Sequence, residues 1–400
     1  MAEFKSLDLF AGAGGLTEGF RQAGFECLFS NDFNENAVAT FRLNHPDTTA
    51  TCGPIEDQDP ARVRKTLGIK KGELDCMVGG PPCQGFSIYA PERVLDDPRN
   101  SMFRHYLRFV DEFAPKTILI ENVPGMLSLA GGRVVDTILR ELEGRGYKTS
   151  CRILLAAHFG APQTRWRLIF LASRLGTLLH PEPTHFYEAR ANFTGGATLT
   201  TRLQPLDAMM LKPATTLRDA IADLPAIPAG GGADETKYSN GRSLGAFAKE
   251  IRGSETTLFN HHSNNLSKIN LDRLQHIPPG GAWTDIPFEL LPAGMKKARR
   301  SDHTKRYGRL KWSSLACTVL TKCDPHWGAV FHPDQARTFS ARETARIQTF
   351  PDSYRFLGNK ASQFEQIGNA VPVFLARALG NAIRQHLEPS SARKNATQSR

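Results

Sequence analysis

The chain has 400 residues, too many for one hydrophobic core and enough for two domains. At 40% hydrophobic and 22% charged it has a globular composition, with neither the run of about eighteen apolar residues a membrane span needs nor a secretory pattern in MAEFKSLDLF. Seven scattered cysteines without a C-x-x-C pair argue against a disulfide framework or a structural metal site and fit a reducing compartment. The net charge of +10 is uneven: residues 1–170 carry −1, residues 171–330 carry +6 and residues 331–400 carry +5. The densest basic run, KKARRSDHTKRYGRLK (296–311), holds eight Lys and Arg against one acid, the footprint of a surface that tracks phosphates.

In chain order, FKSLDLF (4–10) predicts a strand that meets the glycine cluster AGAGG, and LTEGFRQAG a helix closed by Gly24. ECLFSND (26–32) is a second strand, followed by a helix over residues 34–43. LDCMVGG (74–80) is a third strand that runs into PPCQGFS. Residues 99–113 are strongly helical, with Met102, Phe103, Tyr106, Leu107, Val110 and Phe113 on one face and Pro115 as the stop. TILIENV (117–123) is a strand, residues 134–144 a helix, and residues 148–157 and 165–173 strands again. Strands separated by helices predict an α/β protein with a doubly wound parallel sheet. From about residue 176 the rhythm breaks into a smaller loop-rich region with short strands; helical pattern returns at 340–350 and 371–387, and the polar end of the chain is expected to be disordered.

Ligands of such sheets bind at the carboxyl ends of the strands. Three segments end strands there: DLFAGAGG (8–15), GGPPCQGFS (79–87) and ENV (121–123). Gly12 and Gly14 allow close backbone approach, and Asp32 ends the second strand where ribose hydroxyls would be met. Thr17 stands where the dinucleotide fingerprint needs glycine, so NAD and S-adenosylmethionine both remain open, with a tilt toward the latter. Cys83, after two prolines, reads as a nucleophile on a shaped loop or as a buried thiol. Glu121 ends the neighbouring strand, and Arg165 and Arg167 share one face of QTRWRLIF by the two-residue period, placed to clamp an anion or a carbonyl.

In this order DLFAGAGG, Asp32, GGPPCQGFS, ENV, QTRWRLIF, RETARIQTFPD (342–352) and QIGNAVP (366–372) resemble the blocks of the DNA (cytosine-5) methyltransferases. The resemblance implies a Rossmann-like methyltransferase sheet over residues 1–175, completed by 362–388, and a target-recognition domain over 176–361. It implies that Cys83 adds to carbon 6 of a flipped-out cytosine, with Glu121 on ring N3 and the exocyclic amine, Arg167 on the base carbonyl, and Arg165 supporting the loop and a nearby phosphate. The segment after Cys83, through about residue 100, would be a lid. The implied cofactor is S-adenosyl-L-methionine, held by Phe10, Gly12, Gly14, Gly15, Asp32, Phe33, Ile55, Asn369 and Val371, with no metal. Pro54 departs from the family, which has an acid there; Asp57 is the available substitute.

Base readers are sought among His261, His262, Asn264, Asn265, Arg299, Arg300 and Arg309. The implied partner is double-stranded DNA, with a cognate restriction endonuclease in the same system. A monomer in the cytoplasm of a prokaryote, without membrane association, is expected. A tRNA-modifying relative is the alternative, but its C-F-T signature does not occur here. A non-catalytic relative would have lost Cys83 or Glu121, and both are present.

Overall fold

The computed structural model describes residues 4–82, 101–189, 199–238 and 244–388. Cys83, the expected lid and the polar end of the chain lie outside them. The chain divides into two compact units, Met1–Phe159 with Trp166–Pro213 and Val373–Arg400, and Gly160–Arg165 with Ala214–Pro372.

The first unit is built on a seven-stranded sheet of β1 (Phe4–Leu9), β2 (Phe25–Asp32), β3 (Thr49–Cys52), β4 (Cys76–Gly79), β5 (Thr117–Asn122), β6 (Lys148–Leu155) and β7 (Trp166–Ser173), in the order β3-β2-β1-β4-β5-β7-β6. Strands β1 to β5 pair in parallel. β7 runs antiparallel to both neighbours, a departure from the all-parallel expectation. The link between β6 and β7, residues 156–165, is too short for the helical crossover a parallel pair needs.

Helices α1 (Gly15–Gln22), α2 (Glu35–Asn44), α3 (Pro60–Thr66), α4 (Ser101–Phe113), α5 (Arg133–Glu143) and, at the far end of the chain, α11 (Val373–Leu387) complete this unit. Leu7 and Leu9 of β1 join Met77, Ile118 and Ile120 in one core with Phe103, Tyr106, Phe109, Val110 and Phe113 of α4 and Val134, Ile138 and Leu142 of α5. Each buried phenyl ring there contributes on the order of 2–3 kcal/mol, which outweighs the weak helix propensity of aromatic residues. α1 meets α11 through small residues. A Cβ on Gly19 would stand 2.4 Å from Ala376 Cβ, and one on Gly380 would stand 2.8 Å from Ala23 Cβ. β3 and α3 escape the sequence pattern, although Asp59 caps α3 and Pro60 opens it, a recognisable start signal.

The first unit also holds the short parallel pair β8 (His185–Phe186) and β9 (Lys212–Pro213), and Thr184 N–H donates to His158 O. Residues 176–213 thus fall in the first unit, and the main segment of the second runs from Ala214 to Pro372. It contains α6 (Leu217–Ile221), an antiparallel pair β10 (Gly232–Lys237) and β11 (Thr257–His262), α7 (Ala246–Arg252), α8 (Lys268–Gln275), α9 (Ala341–Ile347) and α10 (Lys360–Asn369). α10 belongs here rather than with the first unit because Gln363 bonds Asn260 of β11.

Every residue of α9 is buried, charged ones included. Ser340 caps α9 and Glu343 answers from its third position, a capping box. Glu343 also takes both Nη groups of Arg337 at 2.7 Å. Burial pushes that carboxyl up, and Arg337 overrides it, leaving a pKa of about 2.

Candidate active site

The loop after β1 turns through left-handed conformations at Phe10, Gly12 and Gly14, with φ of 60°, 55° and 89°. Gly14 caps α1 and Gly15 opens it, so the N–H groups of its first turn border this loop. A Cβ on Gly12 would meet nothing within 4 Å, so the glycine answers a backbone need and leaves open space. Asp32 accepts from Gly12 N–H at 2.8 Å through one oxygen and from Asn34 N–H at 2.9 Å through the other. Each oxygen keeps a lone pair for a further donor such as a ribose hydroxyl. Burial raises this carboxyl above its ordinary range, and the backbone N–H groups of Asn34, Gly12 and Phe33 work against that.

Phe33 presents its ring to solvent, 72% exposed, whereas Ile55 is buried. Pro54 precedes the short 3-10 turn Ile55–Asp57. Asp57 lines a cavity of about 290 Å³ with Phe29, Thr51 and Arg62.

At the next strand ends the chain is packed without side chains. A Cβ on Gly79 would lie 2.6 Å from Leu9 O, and one on Gly80 would lie 3.1 Å from a Glu121 carboxylate oxygen. Asn122 donates to Pro81 O at 2.9 Å, so ENV holds the entry to the loop of Cys83. Pro82 is the last described residue before that cysteine. Glu121 Oε1 forms an ion pair with Arg167 Nε at 2.5 Å, the two side chains being 14% and 9% exposed. Burial lowers the Arg167 pKa, and Glu121 offsets it. The structure thus joins Glu121, Arg167 and the backbone of Gly80 at the ends of β4, β5 and β7.

Arg165 is a correction to the two-residue reading. It precedes β7, belongs to the second unit and is buried, with Nη1 donating to Val319 O at 2.8 Å and Nη2 to Gly368 O at 2.7 Å. These bonds commit both Nη groups to main-chain carbonyls.

In the same unit Asn369 is exposed at the end of α10 and Val371 is buried. Of the expected base readers, His261 and His262 are buried, and Asn264 and Arg309 are half-buried. His261 bonds Ser340 and Pro225 O, His262 pairs with Asp234 at 3.0 Å, Asn264 donates to Cys323 O, and Arg309 donates to the carbonyls of His332, Pro333 and Ile277. Asn265 is exposed and stands over Gly230. Arg299 and Arg300 stay exposed.

Sequence reasoning missed Asp8, which shares a strand with the buried Leu7 and Leu9. It is 1% exposed, its Oδ2 accepts from Thr17 Oγ1 at 2.7 Å, and its Oδ1 has no hydrogen-bond partner. Burial pushes its pKa from 3.8 up to about 7, with Thr17 opposing and Asp32 assisting. The folded state holds this proton where the unfolded chain has lost it, so Asp8 draws stability down as pH rises from about 4 to about 7. Asp8→Asn removes the titration. In urea denaturation its stability relative to wild type is expected to increase from pH 5 to 8, by on the order of 2–4 kcal/mol; a difference independent of pH would contradict the assignment.

A family model described as C-5 cytosine-specific DNA methylase matches residues 4–385. The chain is 36% identical to the type II methyltransferase M.AgeI of Thalassovita gelatinovora, over 95% of this chain and 99% of that one. It is 32% identical to the mouse DNA (cytosine-5)-methyltransferase 1 over 99% of its own length, but spans only 29% of the mouse protein. A crystal structure of an E. coli prophage DNA modification methyltransferase has the same fold, with a TM-score of 0.71 at 22% identity over 96% of this chain and 99% of that one.

Proposed function

The chain belongs to the C-5 cytosine-specific DNA methylase family, and from that premise we propose that it methylates carbon 5 of a cytosine in a specific sequence of double-stranded DNA. The observation that carries the reading is the Glu121–Arg167 pair set against Gly80, three residues before Cys83.

The loop residues fit S-adenosyl-L-methionine. Open space at Gly12, spare lone pairs on Asp32 and an exposed ring at Phe33 suit a sugar and a base. Gly14, Gly15 and Phe10 would border its amino-acid part, Ile55 and Asp57 its adenine, and Asn369 and Val371 its amino-acid end. When bound, it supplies a methyl group activated on a sulfonium.

Carbon 5 of cytosine is a poor nucleophile while the ring is aromatic. Addition of the Cys83 thiolate to carbon 6 breaks the aromaticity and makes carbon 5 enamine-like. The thiolate approaches across the ring face, which stacking covers in a duplex, so the base must be flipped out at a cost of a few kcal/mol. Glu121 engages ring N3 and the exocyclic amine, countering the charge that develops as sulfur adds. Arg167 fixes Glu121 and donates to the base carbonyl. Once carbon 5 carries the methyl group, a base removes the carbon 5 proton and Cys83 leaves.

The type II relative supports a bacterial enzyme of the cytoplasm that protects DNA from a companion restriction endonuclease. The test is methylation of duplex DNA with labelled S-adenosylmethionine, followed by hydrolysis to nucleosides. Label in 5-methyl-2′-deoxycytidine is expected; label in another nucleoside, or only in tRNA, would refute the proposal.

A further inference from the structure

α9 and α10 end differently. α9 closes through a left-handed Thr349 (φ 61°), with Phe350 N–H returning to Ala345 O and Thr349 N–H to Arg346 O. α10 ends instead on Ala370 in an extended conformation, φ −64° and ψ 149°. The last carbonyls of a helix lack partners within it, and here side chains distant in sequence supply them. Gln348 Nε2 donates to Ile367 O at 2.6 Å and to Ala370 O at 3.0 Å, and Arg165 Nη2 takes Gly368 O at 2.7 Å.

Gln348 is itself held. Its Oε1 accepts from Gln163 Nε2 at 2.7 Å, and the second hydrogen of that amide goes to Ile347 O at 2.7 Å. Both glutamines are 0% exposed. Each amide uses both of its hydrogens, and two carbonyls facing Gln348 fix which end of its carboxamide points to α10. Gly368 is closed from a third direction, since a Cβ there would lie 2.4 Å from Leu320 O. The main chain is thus pinned on both sides of Asn369, whose own side chain is exposed.

We propose that Gln348, seated by Gln163 and assisted by Arg165, is a positioning residue that sets the cofactor's affinity by fixing the main chain around Asn369. The inference rests on the assignment of Asn369 and Val371 to the cofactor made above. A buried amide serving only as packing would stabilise the unit without acting on one ligand.

Gln348→Met keeps the approximate volume and removes both donors. Its Kd for S-adenosylhomocysteine, measured calorimetrically, is expected to rise about tenfold or more. The single-turnover methylation rate at saturating cofactor should stay within about threefold of wild type. Tyr238→Phe removes a 2.6 Å hydrogen bond to Asp352 elsewhere in the same unit and serves as the control, with an unchanged Kd. Should Gln348→Met not fold, Gln163→Met keeps both bonds to α10 and is expected to raise the Kd by a smaller factor. An unchanged Kd, a loss confined to the rate at saturation, or an equal rise in Tyr238→Phe would overturn the inference. A wild-type chain that binds no S-adenosylhomocysteine would overturn the cofactor assignment, and this inference with it.

Discussion

Arg346→Met is expected to destabilise the second unit by about 3–5 kcal/mol. Arg346 is fully buried and binds Asp352 at 2.9 and 2.6 Å, Asp223 at 2.5 and 3.1 Å, and Ala220 O at 3.0 Å. Asp223 follows α6 and Asp352 follows α9, so one guanidinium fastens both helices. Burial alone would push the Asp352 carboxyl up, and Arg346 overrides it, holding it below its ordinary value. A group depressed in this way adds stability above its unfolded pKa and loses it as the pH falls through its folded pKa. With methionine in place, Arg342 at 3.8 Å and the Tyr238 hydroxyl at 2.6 Å do not replace the lost ion pair, and Asp223 keeps a buried charge without one. The loss should therefore be complete at pH 7 and shrink as the pH falls below about 4 in urea denaturation. A change below about 1 kcal/mol at pH 7 would show that the ion pairs only offset their own desolvation.

Glu121→Gln is expected to slow single-turnover methylation by about 10²–10³-fold, the range for removing one preorganised group that stabilises developing charge. Glutamine preserves the shape of the site and still offers an oxygen to Arg167, but it lacks the ionisable carboxyl that engages N3. Cofactor affinity should be unchanged, because Glu121 lies at the end of β5 with Gly80 and Arg167 rather than in the loop of Gly12 and Asp32. A rate within about threefold of wild type would remove Glu121 from the chemistry.

What could be read from the chain divides along a physical line. Local periodicity marks β1, β2, β4, β5 and α4 because each buries a regular face, and the glycines after β1 and β4 mark the turns at the sheet edge. The direction of β7 depends on the length of its link and on where the strand begins. It begins at Trp166, and Arg165 just before it is taken up by the carbonyls of Val319 and Gly368. His261 and His262 lie in a polar, basic stretch, and burial makes them internal partners instead of readers. Neither composition nor spacing shows burial when the partners are far apart. Asp223 meets Arg346 across 123 residues and Gln163 meets Gln348 across 185. α9 is buried along its whole length despite its charges, because distant partners meet them.

The proposed role of Cys83 as the nucleophile is open to covalent capture. Duplex DNA carrying 5-fluorocytosine at the methylated position is incubated with the protein and S-adenosylmethionine, then denatured and run on a gel. Fluorine at carbon 5 cannot leave as a proton does, so the thiolate stays bonded to carbon 6. Wild type should yield a denaturation-resistant protein–DNA species that Cys83→Ser does not form. No such species from an active wild type, or the same species from Cys83→Ser, would contradict the account.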